Sequence, residues 1–148
     1  MSINEWVEKY RSTPSRLLIV DDLDGIAESI KGALKGYDCT FDVAYTGEIA
    51  SSLLRAHKYD LVFLDIGLPG KSGIDVLREI KDHSPETPVV MMTGMFDGQL
   101  IEQATSMGIV SLMKKPTDFT PAFIKELFQL FKIRGLPAEN VGLTPTTA

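Results

Sequence analysis

The chain has 148 residues and a formal net charge of -5, which argues against a general nucleic-acid binder needing a basic face. Its hydrophobic share of 44% and charged share of 24% are those of one soluble globular domain. The lone Cys39 excludes an internal disulfide, and neither a signal peptide nor a bilayer-length apolar run is present, so a soluble cytoplasmic protein without membrane insertion is expected.

In chain order, Ile3, Trp6, Val7 and Tyr10 fall on one face of a short helix within an N-terminal extension, residues 1–14. Five apolar runs follow: Leu17–Val20, Phe41–Tyr45, Leu61–Leu64, Val89–Met92 and Ile109–Met113. Each is short and nearly all apolar, as expected for parallel strands covered on both faces. Helical patterns alternate with them. The first carries Ile26, Ile30, Ala33 and Leu34, with Asp24 as its cap and Gly36 as its stop. Thr46 caps a second whose buried face holds Ile49, Leu53 and Leu54. Ser72 and Asp75 form a capping box for a third, with Ile74, Leu77 and Ile80 inward. Asp97 caps a fourth with Leu100, Ile101, Ala104 and Met107, and Thr120-Pro121 opens a fifth. The fold predicted is α/β: a flavodoxin-like, doubly wound (βα)5 domain over residues 15–134, with a parallel sheet of order 2-1-3-4-5. Residues 135–148, rich in Pro, Gly and Thr, read as a flexible tail, with no DNA-binding output domain expected after the fold.

In such sheets ligands sit at the carboxyl ends of the strands. The residues ending the runs are Asp21-Asp22, Asp65, Thr93 and Lys114-Lys115-Pro116. Three carboxylates drawn together repel one another and need a cation, and an oxygen-only ligand set beside phosphate favours Mg²⁺. A lysine and a hydroxyl facing that ion suit a phosphoryl group, so the set reads as phosphoryl transfer onto a carboxylate. Taken singly, each has a plainer reading: a turn or cap for an Asp, turn chemistry for Thr before Gly, a solvated side chain for Lys before Pro. Their coincidence at the right strand ends is what carries the signal.

The segments LLIVDD, LVFLDIGLPGKSGIDVLREIK, VVMMTG and LMKKP match, in order and spacing, the receiver domains of bacterial response regulators, from about Ser15 to about Arg134. The chain thus resembles that family, of the single-domain chemotaxis-regulator type. The resemblance implies a phospho-acceptor at Asp65, a direct Mg²⁺ ligand at Asp22, and Asp21 near the metal, often through water. The Gly67 carbonyl would complete the protein ligands, and Thr93 and Lys115 would contact phosphoryl oxygens. Lys114 is excluded because strand alternation points it away. The donor implied is a sensor histidine kinase or a histidine phosphotransfer protein, and the output passes through contacts with a downstream protein target. Two departures stand out: Leu112 occupies the place where receivers usually carry Tyr or Phe, and Gly67 offers no side chain to guide or block attacking water.

Three other readings compete. Asp22-Leu23-Asp24-Gly25 resembles the DxDG of haloacid-dehalogenase-type phosphatases, with Asp22 as nucleophile. That family expects Thr where Ile26 stands and an acidic pair where Asp118 stands alone, and the reading leaves the Asp65 segment unexplained. A receiver-like module kept only for binding would not need Asp21, Asp22, Asp65, Thr93 and Lys115 all intact. A flavin role lacks a phosphate loop after the first strand.

His57 and His83 read as surface residues at helix ends, and most of the six methionines as core. The wide apolar face of the fifth helix, with Phe123, Ile124, Leu127, Phe128, Leu130 and Phe131, exceeds what one sheet covers. The N-terminal helix is therefore expected to pack on it within one chain or to join two chains as a homodimer.

Overall fold

The five apolar runs form the strands of one parallel sheet in the computed structural model, which describes residues 2–3, 15–94, 98–115 and 120–134. β1 spans Ser15–Val20, β2 Cys39–Ala44, β3 Leu61–Asp65, β4 Val89–Thr93 and β5 Ser111–Lys114. Their order is β2-β1-β3-β4-β5, with every neighbouring pair parallel. The helices between and after them are α1 (Asp24–Ala33), α2 (Gly47–Ala56), α3 (Gly73–His83), α4 (Gly98–Met107) and α5 (Pro121–Arg134). This is the doubly wound order expected from the sequence.

Alternation along the strands divides the core into two layers. Leu18, Val20, Val62, Leu64, Val89 and Met91 face α2, α3 and α4, meeting Ala50, Ile74, Leu77, Ile80 and Ala104. Leu17, Ile19, Leu61, Phe63, Val90 and Met92 face α1 and α5, meeting Ala27, Ile30, Phe123, Ile124, Leu127 and Phe128. Each large apolar side chain so covered contributes about 1.5–3 kcal/mol relative to exposure. β3 and β4 are buried along their whole length. The expectation of cover on both faces fails at β2, whose residues before Ala44 are only partly covered or exposed. It is an edge strand with one neighbour.

The helix starts follow their local chemistry. Thr46 Oγ1 accepts from the Ile49 amide at 3.1 Å, and Thr120 Oγ1 accepts from Phe123 at 3.2 Å. Ser72 and Asp75 close the expected capping box, at 3.2 and 3.3 Å. Asp24 does not cap α1: Leu23 holds the N-cap position without a side-chain bond, and Asp24 is the first helical residue. The Leu23 amide already donates to Asp21 Oδ1 at 2.8 Å, so the turn is closed one residue earlier. Ile49 is 46% exposed rather than inward. The buried stripe of α2 is Gly47, Ala50 and Ser51, because Gly47 lies against the Lys71 backbone.

His57 and His83 are exposed at the ends of α2 and α3, and Met91, Met92 and Met113 are buried, all as expected. The N-terminal helical face beyond Ile3, the Asp97 cap, Pro116, the side chains of Leu130 and Phe131, and the tail lie outside the described residues. None of the described helices is long and apolar enough to cross a membrane.

At the amino end of the sheet, Arg16, Asp42 and Tyr59 form a clasp. Arg16 reaches Asp42 Oδ2 at 3.0 and 3.1 Å, and the Tyr59 hydroxyl donates to the same oxygen at 2.7 Å. The Tyr59 hydrogen bond, together with Arg16, holds the Asp42 carboxyl below its ordinary range against partial burial.

Candidate phospho-acceptor site

β1, β3, β4 and β5 all end at the same edge of the sheet, and the register decides which side chains meet there. Asp21 follows β1, its amide still donating to the Ala44 carbonyl at 3.1 Å. Asp65 is the last residue of β3, opposite Met92, and the Ile66 amide bonds the Met92 carbonyl at 2.9 Å. Thr93 ends β4 and pairs with Lys114, and the Lys115 amide reaches the Thr93 carbonyl at 2.7 Å. Residues 21, 65, 93 and 115 are therefore brought to one rim by backbone pairing alone.

Side-chain geometry completes the cluster. The Lys115 ammonium forms an ion pair with Asp21 Oδ2 and lies 3.2 Å from Asp65 Oδ2. Asp65 Oδ1 accepts from the Gly67 amide at 3.0 Å. Asp21, Asp65 and Thr93 are buried, Lys115 is 12% exposed at its side chain, and Asp22 and Gly67 are open to solvent. Lys114 is exposed, as alternation predicts. Leu112 is partly buried against the α2–α4 core layer.

Asp21 has the least comfortable carboxylate. Its Oδ2 is buried and, despite the Lys115 ion pair, makes no hydrogen bond of regular geometry. Burial pushes its carboxyl above the ordinary range and the neighbouring Asp65 charge adds to this, while Lys115 and the Leu23 amide pull the other way. Asp21, Asp22 and Asp65 present carboxylate oxygens within 4.8 Å of one another. Three carboxylates gathered this closely, with no sulfur or imidazole among the clustered ligands, fit a hard divalent cation.

The receiver domain model of the response regulator family matches residues 17–125. The chain belongs to that family. This receiver is 38% identical over 78 residues to the transcriptional regulatory protein DltR of Streptococcus agalactiae, covering 53% of this chain and 35% of that protein. It is 31% identical over 101 residues to the cell cycle response regulator CtrA of Brucella ovis, covering 68% of this chain and 44% of that protein. The chain thus spans less than half the length of either relative. It is also similar to a CheY-like receiver domain protein from Methanospirillum hungatei, with a TM-score of 0.72, 24% identity, and cover of 81% and 94% of the two chains. That last likeness shows the fold alone. Membership places the chain among signalling domains of two-component systems, and the phosphatase and flavin readings fall away.

Sequence reasoning missed the support around this rim. Lys71, in the loop after Asp65, pairs with Glu79 of α3, and its amide donates to Glu48 of α2 at 3.2 Å. The Asp24 carboxylate, free of capping duty, raises the pKa of the neighbouring Tyr45 hydroxyl. No sequence signal marks either contact, because each depends on how two helices or loops are set against each other.

Proposed function

We propose that the chain takes a phosphoryl group onto the Asp65 carboxylate from a phosphohistidine of a sensor histidine kinase or histidine phosphotransfer protein. A carboxylate oxygen forms a bond to phosphorus, the phosphorus–nitrogen bond of the donor breaks, and the imidazole leaves with its electron pair. The observation that carries the reading is the largely covered Lys115 ammonium, shared between Asp21 and Asp65.

Each residue has a role that its position supports. Asp65 is the nucleophile, held by the Gly67 amide. The Lys115 ammonium is a point charge at the acceptor, available to an incoming phosphoryl oxygen, and the Thr93 hydroxyl at the neighbouring strand end would donate to another. Asp21, Asp22, Asp65 and the Gly67 carbonyl would hold Mg²⁺. When bound, Mg²⁺ supplies positive charge against the phosphoryl oxygens and relieves repulsion among the carboxylates. Asp21 suits this because its carboxylate lies within 4.8 Å of those of Asp22 and Asp65 at the strand ends.

The acyl phosphate is the signal, and loss of the group to water is the only other chemistry this reading assigns. Output then passes through a downstream protein target. A receiver-like module that never takes phosphate is the alternative, and it gives no reason to keep Asp21 buried beside Asp65 and Lys115. The test is phosphoryl uptake from a small donor with Mg²⁺. Turnover of p-nitrophenyl phosphate, by contrast, should be absent.

A further inference from the structure

The loop that leaves Asp65 runs from Ile66 to Ser72 before α3 begins. Its first half is tied inward: Ile66 and Leu68 are buried in the core. Its second half turns outward over exposed Pro69 and over Gly70, which has a left-handed φ of 70°. Gly67, whose carbonyl is a metal ligand in the reading above, is itself exposed, and its amide donates to Asp65 Oδ1 at 3.0 Å.

Lys71 anchors this outer half at three points. Its amide donates to Glu48 Oε1 on α2 at 3.2 Å. Its carbonyl sits over Gly47, so close that a Cβ added to Gly47 would lie 2.3 Å from the oxygen. Its ammonium pairs with Glu79 Oε1 on α3, and the other Glu79 oxygen accepts from the buried Ser51 hydroxyl of α2 at 2.5 Å. Burial opposes the charge on Glu79, yet the Lys71 and Ser51 hydrogen bonds keep its carboxyl below the ordinary range. One lysine thus joins the acceptor loop to both α2 and α3.

Resting on the phosphoryl-transfer reading, we propose that Lys71 is a positioning residue for that reaction, fixing the Gly67 backbone for Mg²⁺ through its ion pair with Glu79. Groups that orient metal ligands without touching the metal commonly change affinity by 10–100-fold when removed. A surface ion pair of purely structural value would change melting temperature slightly and Mg²⁺ affinity not at all.

The experiment titrates Mg²⁺ into the full chain by calorimetry for wild type, Lys71→Met, Lys71→Arg and Glu79→Gln, with phosphoryl uptake from acetyl phosphate measured at limiting and saturating Mg²⁺. Lys71→Met and Glu79→Gln should each weaken Mg²⁺ about tenfold. Uptake should slow at limiting Mg²⁺ and recover at saturation, and Lys71→Arg should stay close to wild type. The near-isosteric Glu79→Gln carries the test should Lys71→Met fold poorly. Wild-type affinity in Lys71→Met or Glu79→Gln overturns the proposal, as does equal weakening in Lys71→Arg. Asp65→Asn is run alongside. Full uptake in that variant would sink the phosphoryl-transfer reading itself, whereas its loss with unchanged Lys71 and Glu79 variants would sink only the positioning role.

Discussion

Gly73 lies so tightly beneath Asp65 that a Cβ added to it would stand 2.0 Å from the Asp65 carbonyl oxygen. The first residue of α3 is thereby pressed against the backbone of the proposed acceptor. Only hydrogen fits there, and any side chain must push the strand end or the helix aside.

Gly73→Ala is accordingly expected to destabilise the protein by about 1–3 kcal/mol, the usual range for overpacking a filled site. Because the displaced atom belongs to Asp65, phosphoryl uptake should fall as well, even at temperatures where the variant is folded. Thermal unfolding paired with uptake from acetyl phosphate checks both parts. Wild-type melting would show that the backbone yields without cost.

Much of this was legible in the sequence, and the reason is backbone pairing. Five apolar runs set the strands, parallel register aligned their ends, and Asp21, Asp65, Thr93 and Lys115 arrived at one rim as expected. The failures are also physical. Asp24 carries a good capping side chain, but the Asp21 carboxylate closed the turn first by accepting the Leu23 amide. Periodicity alone points Ile49 inward, yet the contact of Gly47 with Lys71 turns a smaller stripe of α2 toward the core. The Lys71–Glu79–Ser51 network joins three segments, and nothing in local spacing announces it.

Asp21 gives a second prediction. Its folded pKa is raised, so at neutral pH the ionised carboxylate costs stability, a cost relieved only as pH falls through that raised value. Asp21→Asn removes the buried charge at constant shape. Without Mg²⁺ the variant should melt higher than wild type, by about 2–4 °C for each kcal/mol relieved. With Mg²⁺ the order should reverse: a ligand at a hundred times its Kd stabilises by about 2.7 kcal/mol, and the variant should forfeit most of that. Melting curves with and without Mg²⁺ decide it. A lower melting temperature for the metal-free variant would mean that the Lys115 pair outweighs the burial cost.

The clasp at the opposite end of the sheet sets a pH dependence. Asp42 has a lowered folded pKa, so its contribution is present above the unfolded value and lost as pH falls through the folded one. Asp42→Asn should be less stable than wild type at neutral pH, and the gap should close on acidification below the ordinary carboxylate range. Tyr59→Phe removes the hydroxyl that donates at 2.7 Å and should move that closure to higher pH. Melting temperature followed from neutral to acid pH is the measurement, and a gap that persists at low pH would contradict the charge argument.

The central claim is phosphoryl transfer onto Asp65, and intact-mass spectrometry after incubation with acetyl phosphate and Mg²⁺ tests it most directly. Wild type should gain the mass of one phosphoryl group, require Mg²⁺ to do so, and lose the group on standing in alkali as an acyl phosphate does. Asp65→Asn should gain nothing. Lys115→Met should take up the group far more slowly, because the charge shared between Asp21 and Asp65 is gone. The same Mg²⁺-dependent adduct in Asp65→Asn, or no adduct in wild type under any of these conditions, would contradict the account.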